Sequence, residues 1–151
     1  MDFLPFEFCD SVVSTIDDLR HLPELASELA NYNFDVWKTA IEDHTANRQR
    51  KIIWCGSNDL TNLDDLRRIK KKHLRIKEIE WSGGALSTND FEVLKYVTPF
   101  AQFSNLFITY DATSKENKEF LESLRDISFT EIYMHHPYES LLRHQAQSKI
   151  I

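Results

Sequence analysis

Histidine and cysteine side chains carry the readiest chemistry in a protein, and this chain of 151 residues holds six of the first and two of the second. Their spacing assembles no centre. His135 and His136 are adjacent, so in an extended segment they face opposite ways and do not share a metal ion. His136 with His144 is a wide pair that matches no zinc-ligand spacing. Neither Cys9 nor Cys55 stands in a local catalytic context, and no G-x-S-x-G occurs. Gly56, Gly83 and Gly84 are the only glycines, and no phosphate-cradling loop or dinucleotide fingerprint can be built from them. The expectation is a chain with no catalytic residues, no metal ligands and no cofactor.

One other run could meet a ligand. Arg67, Arg68, Lys70, Lys71, Lys72, Arg75 and Lys77 place seven bases in eleven residues. Such a run contacts phosphates or serves as a nuclear address, but its commoner meaning is a solvated outer helix face. No aromatic residues interleave with it as single-strand binding would favour, so nucleic acid is the less favoured partner.

Composition is that of an ordinary soluble globular protein, with 42% hydrophobic and 28% charged residues. Mean hydropathy is −0.44, and no apolar run reaches the ~18–20 residues of a membrane span. Asp2 and Glu7 stand where a secretory signal would carry bases. Two cysteines make no disulfide framework, and no N-x-[ST] site occurs, so the expected compartment is the cytoplasm or the nucleus. The net charge of −6 is uneven. Residues 1–49 hold ten acids and three bases, net −7, whereas 50–151 hold fourteen acids and fifteen bases, net +1.

The elements that must position any functional surface change character at the same place. Leu4, Phe8, Val12, Val13 and Ile16 recur at helical steps, with Pro5 suited to a first helical turn. Leu22, Leu25 and Leu29 make a second stripe behind Pro23, and Phe34, Trp37, Ala40 and Ile41 a third, with Asn33 or Asp35 as its cap. From Arg50 short apolar runs at 50–55, 76–81, 103–110 and 129–135 read as strands. Between them lie the helical stripes Leu63/Leu66/Ile69, Phe91/Leu94/Val97 and Phe120/Leu124/Ile127. Asn62, Ser87 or Thr88, and Thr113-x-x-Glu116 supply caps.

The strand candidates repeat. Ile53, Ile79, Leu106 and Ile132 recur at steps of 26, 27 and 26 residues, and so do Cys55, Trp81, Ile108 and Met134. A third row, Arg50, Ile76, Phe103 and Phe129, is apolar in three of four copies. Strand and helix alternating at constant pitch imply parallel strands joined by right-handed crossovers. A period in the twenties with L-x-x-L-x-L spacing predicts a leucine-rich-repeat-like β/α solenoid. A doubly wound sheet competes but does not predict residue-by-residue register. The asparagine place of the repeat holds Asn58, Gly84, Asp111 and Pro137, so the repeat is degenerate. The expected architecture is α/β: a three-helix module over 1–49, then a solenoid of about four units over 50–151.

The segment LPFEFCDSVVSTI, Leu4 to Ile16, resembles the opening of an F-box, which begins Leu-Pro-x-Glu and continues with paired apolar positions. Here those are Phe8/Cys9, Val12/Val13 and Ile16, with Leu19, Leu22, Leu25 and Leu29 at the second helix and Trp37 near the module's tryptophan. With VWKTAIEDHTANRQ, the start of the chain is similar to a large nematode group of F-box-like proteins that pair this bundle with a divergent α/β repeat region. Where the module has a valine-serine-arginine run, this chain has Tyr32-Asn33-Phe34-Asp35-Val36. The resemblance implies a substrate receptor of a cullin-type ubiquitin ligase. Leu4, Pro5, Phe8, Val12 and Ile16 would dock a Skp-type adaptor in helix-in-groove fashion, and the repeat region would hold a protein target. The same residues would otherwise cap the open face of the stack, which makes the alternative an interaction scaffold that does not touch the adaptor. A nucleic-acid-associated protein using 67–77 is the third reading.

In an L-x-x-L-x-L strand the intervening side chains point away from the core. They form a row of Trp54, Glu80, Phe107 and Tyr133, flanked by Gly56, Ser82, Thr109 and His135 and by Ile52, Glu78, Asn105 and Glu131. Trp54, Glu78, Glu80, Phe107, Thr109, Glu131, Tyr133 and His135 are the expected partner-binding residues, and their acids favour a basic target segment.

Overall fold

A computed structural model of the chain describes residues 5–16, 21–31, 35–56, 61–109, 115–135 and 138–148. It divides into two units, one of 1–49 with 70–73 and the other of 50–69 with 74–151.

The first unit is helical. Pro5 is the N-cap of helix α1 (Phe6–Thr15), and its carbonyl accepts from Phe8 N and Cys9 N at 3.0 and 3.3 Å. A proline there gives up no helical bond, because the N–H of that position has no partner in a helix. Pro23 stands in the first turn of α2 (Leu22–Ala30) for the same reason. Both helices pack on α3 (Asp35–Asn47). Cys9, Val13, Ala26, Ala40 and Ile41 are buried together, with Ile16, Leu29, Val36 and Trp37 against them. Leu4, Leu19, Asn33 and Phe34 lie outside the described residues.

The second unit alternates strand and helix: β1 (Gln49–Cys55), α4 (Leu63–Arg68), β2 (Leu74–Trp81), α5 (Thr88–Val97), β3 (Asn105–Ile108), α6 (Lys115–Ser123), β4 (Glu131–Met134) and α7 (Glu139–Ser148). The strands form one sheet in the order β1-β2-β3-β4. β2 with β3 and β3 with β4 are parallel, and their register sets Ile79 beside Leu106 beside Ile132, and Trp81 beside Ile108 beside Met134. Two rows read from the sequence are thus ladders of hydrogen-bonded neighbours across these three strands. The protein is mixed α/β. Ile53, Cys55, Ile79, Trp81, Leu106 and Ile108 are buried against Leu63, Leu66, Leu94, Val97, Phe120 and Leu124 of the helices. Trp81 and Phe120, both fully buried, pack at 4.7 Å between ring centroids.

Local chemistry starts the helices. Asn62 accepts from Asp64 N at 2.9 Å as the cap of α4. Ser87 and Asp90 make a reciprocal capping box on α5, Asp90 N to Ser87 Oγ at 3.2 Å and Ser87 N to Asp90 Oδ2 at 2.7 Å. That exchange satisfies a carboxylate which is otherwise buried. Thr113 lies outside the described residues, so the third cap is not placed.

The third row holds only in part. Ile76 and Phe129 are buried, but Arg50 is exposed and Phe103 is 70% exposed with φ +64°. β3 starts at Asn105, two residues later than the row requires. Backbone bonding decides this: Phe103 N donates to Ser128 O at 2.6 Å, and Thr130 Oγ1 donates to Phe103 O at 2.8 Å. Gln102 adds Nε2 to Asp126 O at 2.9 Å and accepts from Ser128 N at 3.0 Å. These bonds hold Phe103 in a left-handed turn that a bulky residue rarely adopts, and its ring leaves the core.

At the other end of β1 and β2, Gly56 has φ +67° and Gly84 φ +92°. A Cβ on Gly84 would collide with Gly56 O, and one on Gly56 would lie 2.7 Å from Trp81 Nε1. The two glycines are a close backbone crossing that tolerates no side chain.

Candidate functional site

Two surfaces gather the candidate side chains, one in each unit. On the second unit, the sheet face opposite the core presents the outward row. Register places Glu80 beside Phe107 beside Tyr133, and Glu78 beside Asn105 beside Glu131. Phe107 and Tyr133 are 5.9 Å apart between ring centroids, and Tyr133 meets His135 at 6.2 Å. Tyr133 is 53% and Trp54 38% exposed, while Phe107, Glu78 and Glu80 are half-buried. Thr109 and His135 extend the rows beyond the strands, with Thr109 N on Trp81 O and His135 N on Ile108 O, both at 3.1 Å. Burial pushes the Glu80 carboxyl above its ordinary range, and the neighbouring charge of Glu78 pushes the same way. Like carboxylates two places apart on one strand repel across a partly desolvated face. Seven of the eight residues expected at the partner surface fall on β2, β3, β4 or their ends, and Trp54 lies on β1.

The residues expected to meet an adaptor behave less uniformly. Pro5 and Phe8 are exposed, Phe8 at 49% with its ring edge-on to Trp37 at 6.3 Å. Val12 and Ile16 are half-buried, and Ile16 packs on the first unit's own core. Leu4 lies outside the described residues. Phe6 and Leu25 are exposed as well.

Sequence reasoning missed a cluster inside the first unit. Lys72 Nζ donates to Asp43 Oδ2 at 2.7 Å and to Asp10 Oδ1 at 3.1 Å. His44 Nε2 stands 3.1 Å from Asp10 Oδ1, and His73 Nε2 is 3.4 Å from Asp43 Oδ2. Arg48 donates to Val13 O at 3.0 Å, to Ile16 O, and to His44 Nδ1 at 3.3 Å. The two imidazoles are buried and meet edge to face at 5.0 Å. Burial lowers both their pKa values, helped by Arg48 at His44 and by Lys72 at His73. The hydrogen bond from Lys72 holds the Asp43 carboxyl below its ordinary value, and the same bond raises Lys72. Lys72 meets its two carboxylates 29 and 62 positions away in sequence, so no local spacing announces the network's ion pairs.

Asp43, His44 and His73 bring donor atoms within 4.8 Å of one another, as a metal ligand set would. The surrounding bonds argue against that use. An ammonium already bridges the two carboxylates. Arg48 donates to Nδ1 of His44, which leaves the proton on Nε2, the nitrogen that faces Asp10. The cluster is a hydrogen-bonded ion network that fastens α1, α3 and the segment 70–73.

The basic run is divided between the two units. Lys70 to His73 belong to the first unit, whereas Arg67, Arg68, Arg75 and Lys77 belong to the second. Arg67 and Arg68 lie within 3.5 and 3.2 Å of Asp64 and Asp65 one turn earlier. The thiol of Cys55 is raised far above its ordinary range by burial and by Asp90, and the thiol of Cys9 is raised by burial. Both behave as inert core residues. No helix of the described residues is long and apolar enough to cross a membrane. Compared with protein-family models, curated proteins and solved structures, the chain finds no match in any of the three.

Proposed function

We propose that the chain is a non-enzymatic, F-box-like substrate receptor of the cytoplasm or nucleus. Its first unit docks a Skp-type adaptor of a cullin ubiquitin ligase, and its second unit is a short leucine-rich-repeat-like stack that holds a protein target. The observation that carries the reading is the in-register sheet, whose outward rows align aromatic and acidic side chains on a face opposite the helices. Exposed Pro5 and Phe8 at the start of α1 supply anchors of the kind a groove accepts.

Capture by a purified Skp-type adaptor tests it. The wild-type chain is retained, and Pro5→Ala with Phe8→Ala abolishes retention while the circular dichroism spectrum stays unchanged. Equal retention of the double variant removes the docking assignment. A second reading, a scaffold of the same fold that does not meet the adaptor, is favoured by Ile16, which packs on the unit's own core. Failure of the wild-type chain to bind the adaptor selects that reading.

A further inference from the structure

The outward sheet face has a charge pattern and a spacing that define its occupant. Of its twelve positions at 52–56, 78–82, 105–109 and 131–135, three are carboxylates and none is lysine or arginine. Arg50 is exposed two residues before Ile52 on β1 and Lys77 is exposed one residue before Glu78 on β2, both toward the strands' N-terminal ends. Glu78 and Glu131 stand in one row with Asn105 between them. Two strand steps separate them, about 10 Å at ~4.8 Å per step. The neighbouring row lays Phe107 and Tyr133 as an aromatic floor, with Glu80 at its end.

We infer that this face binds a proline-rich, polyproline-II segment of a protein partner carrying arginine or lysine at positions i and i+3. A polyproline-II helix turns every three residues and rises ~3.1 Å per residue, so side chains at i and i+3 lie on one side about 9 Å apart. That matches the Glu78–Glu131 separation. A β-strand puts i and i+2 on one side at about 7 Å, which spans too little. The segment crosses the strands, its cations reach Glu78 and Glu131, and its proline rings lie on Phe107 and Tyr133. Aromatic faces attract both proline rings and cations. The half-buried pair Glu78 and Glu80 is relieved of its mutual repulsion when a cation arrives.

The inference rests on the target-holding role proposed above and names the target's chemistry. Its test uses the full chain and synthetic peptides: Pro-Arg-Pro-Pro-Arg-Pro, its isomer with arginines at i and i+2, and a glutamate version of the first. Titration is followed by calorimetry. The i,i+3 peptide binds, and the glutamate peptide does not. The i,i+2 isomer binds several-fold more weakly. Glu78→Gln, Glu80→Gln and Glu131→Gln together weaken binding by about tenfold or more. The matched triple Glu92→Gln, Glu119→Gln and Glu122→Gln, on the exposed helices, leaves it unchanged and so excludes bulk attraction to an acidic protein. Equal loss in both triples, equal binding of the two isomers, or binding only of a helical basic peptide overturns the inference. Adaptor capture does not involve this face. Adaptor binding without peptide binding therefore removes this inference alone, and peptide binding without adaptor binding removes the receptor reading alone.

Discussion

The two units hold their elements by different means. Among the described residues the first unit buries five apolar side chains, two of them alanines, and fastens its helices with a network of two acids, two imidazoles, a lysine and an arginine. The second buries nineteen apolar side chains, tryptophan and phenylalanine among them, around an in-register sheet. Hydrophobic burial scales with area and is indifferent to pH, whereas an ion network depends on protonation and on every partner being present. The first unit is therefore the conditional part of the molecule.

The largest effect should come from the apolar side. Phe120→Ala removes a fully buried ring that packs on Trp81, and a loss of about 3–5 kcal/mol is expected in the second unit's unfolding free energy. Denaturant melts followed by Trp54 and Trp81 emission measure it. In the first unit, Asp43→Ala strips Lys72 and His73 of a shared partner, at a cost of about 1–3 kcal/mol. Amide exchange over 35–47 should quicken while 74–81 is unaffected; equal quickening in both would erase the contrast drawn here.

Acid sharpens the contrast. His44 and His73 have folded pKa values below the ordinary one, so the native state binds fewer protons than the unfolded chain. Their contribution is complete above about pH 6.5 and declines as pH falls through that value. The protection of α3 amides, corrected for the intrinsic exchange rate at each pH, should fall between pH 7 and 5 before that of β2 does. His44→Gln should flatten the response. The smallest effect is local: Ser87→Ala opens the capping box of α5 and costs about 1 kcal/mol, with no change in the pH response of α3.

The sheet was legible in the sequence because its constraint is periodic. Ile79, Leu106 and Ile132 face one core, so a constant step writes their register into the chain. The outward face followed, since a strand alternates. Phe103 misled because the period marks its place, while four hydrogen bonds from Gln102, Ser128 and Thr130 turn the backbone there before the strand begins. The histidine network was illegible for a different reason. Asp10, Asp43 and Lys72 come from three separate segments, and Lys72 reads in sequence as one more member of a solvated basic run.

The glycine crossing limits how far this stretch of sequence can drift. At Gly84 even a methyl group would collide with the carbonyl of Gly56, while the indole of Trp81 donates to Gly84 O at 3.3 Å. No side chain can therefore enter at Gly84 unless the turn at Gly56 is rebuilt in the same step, so these two turns must change together.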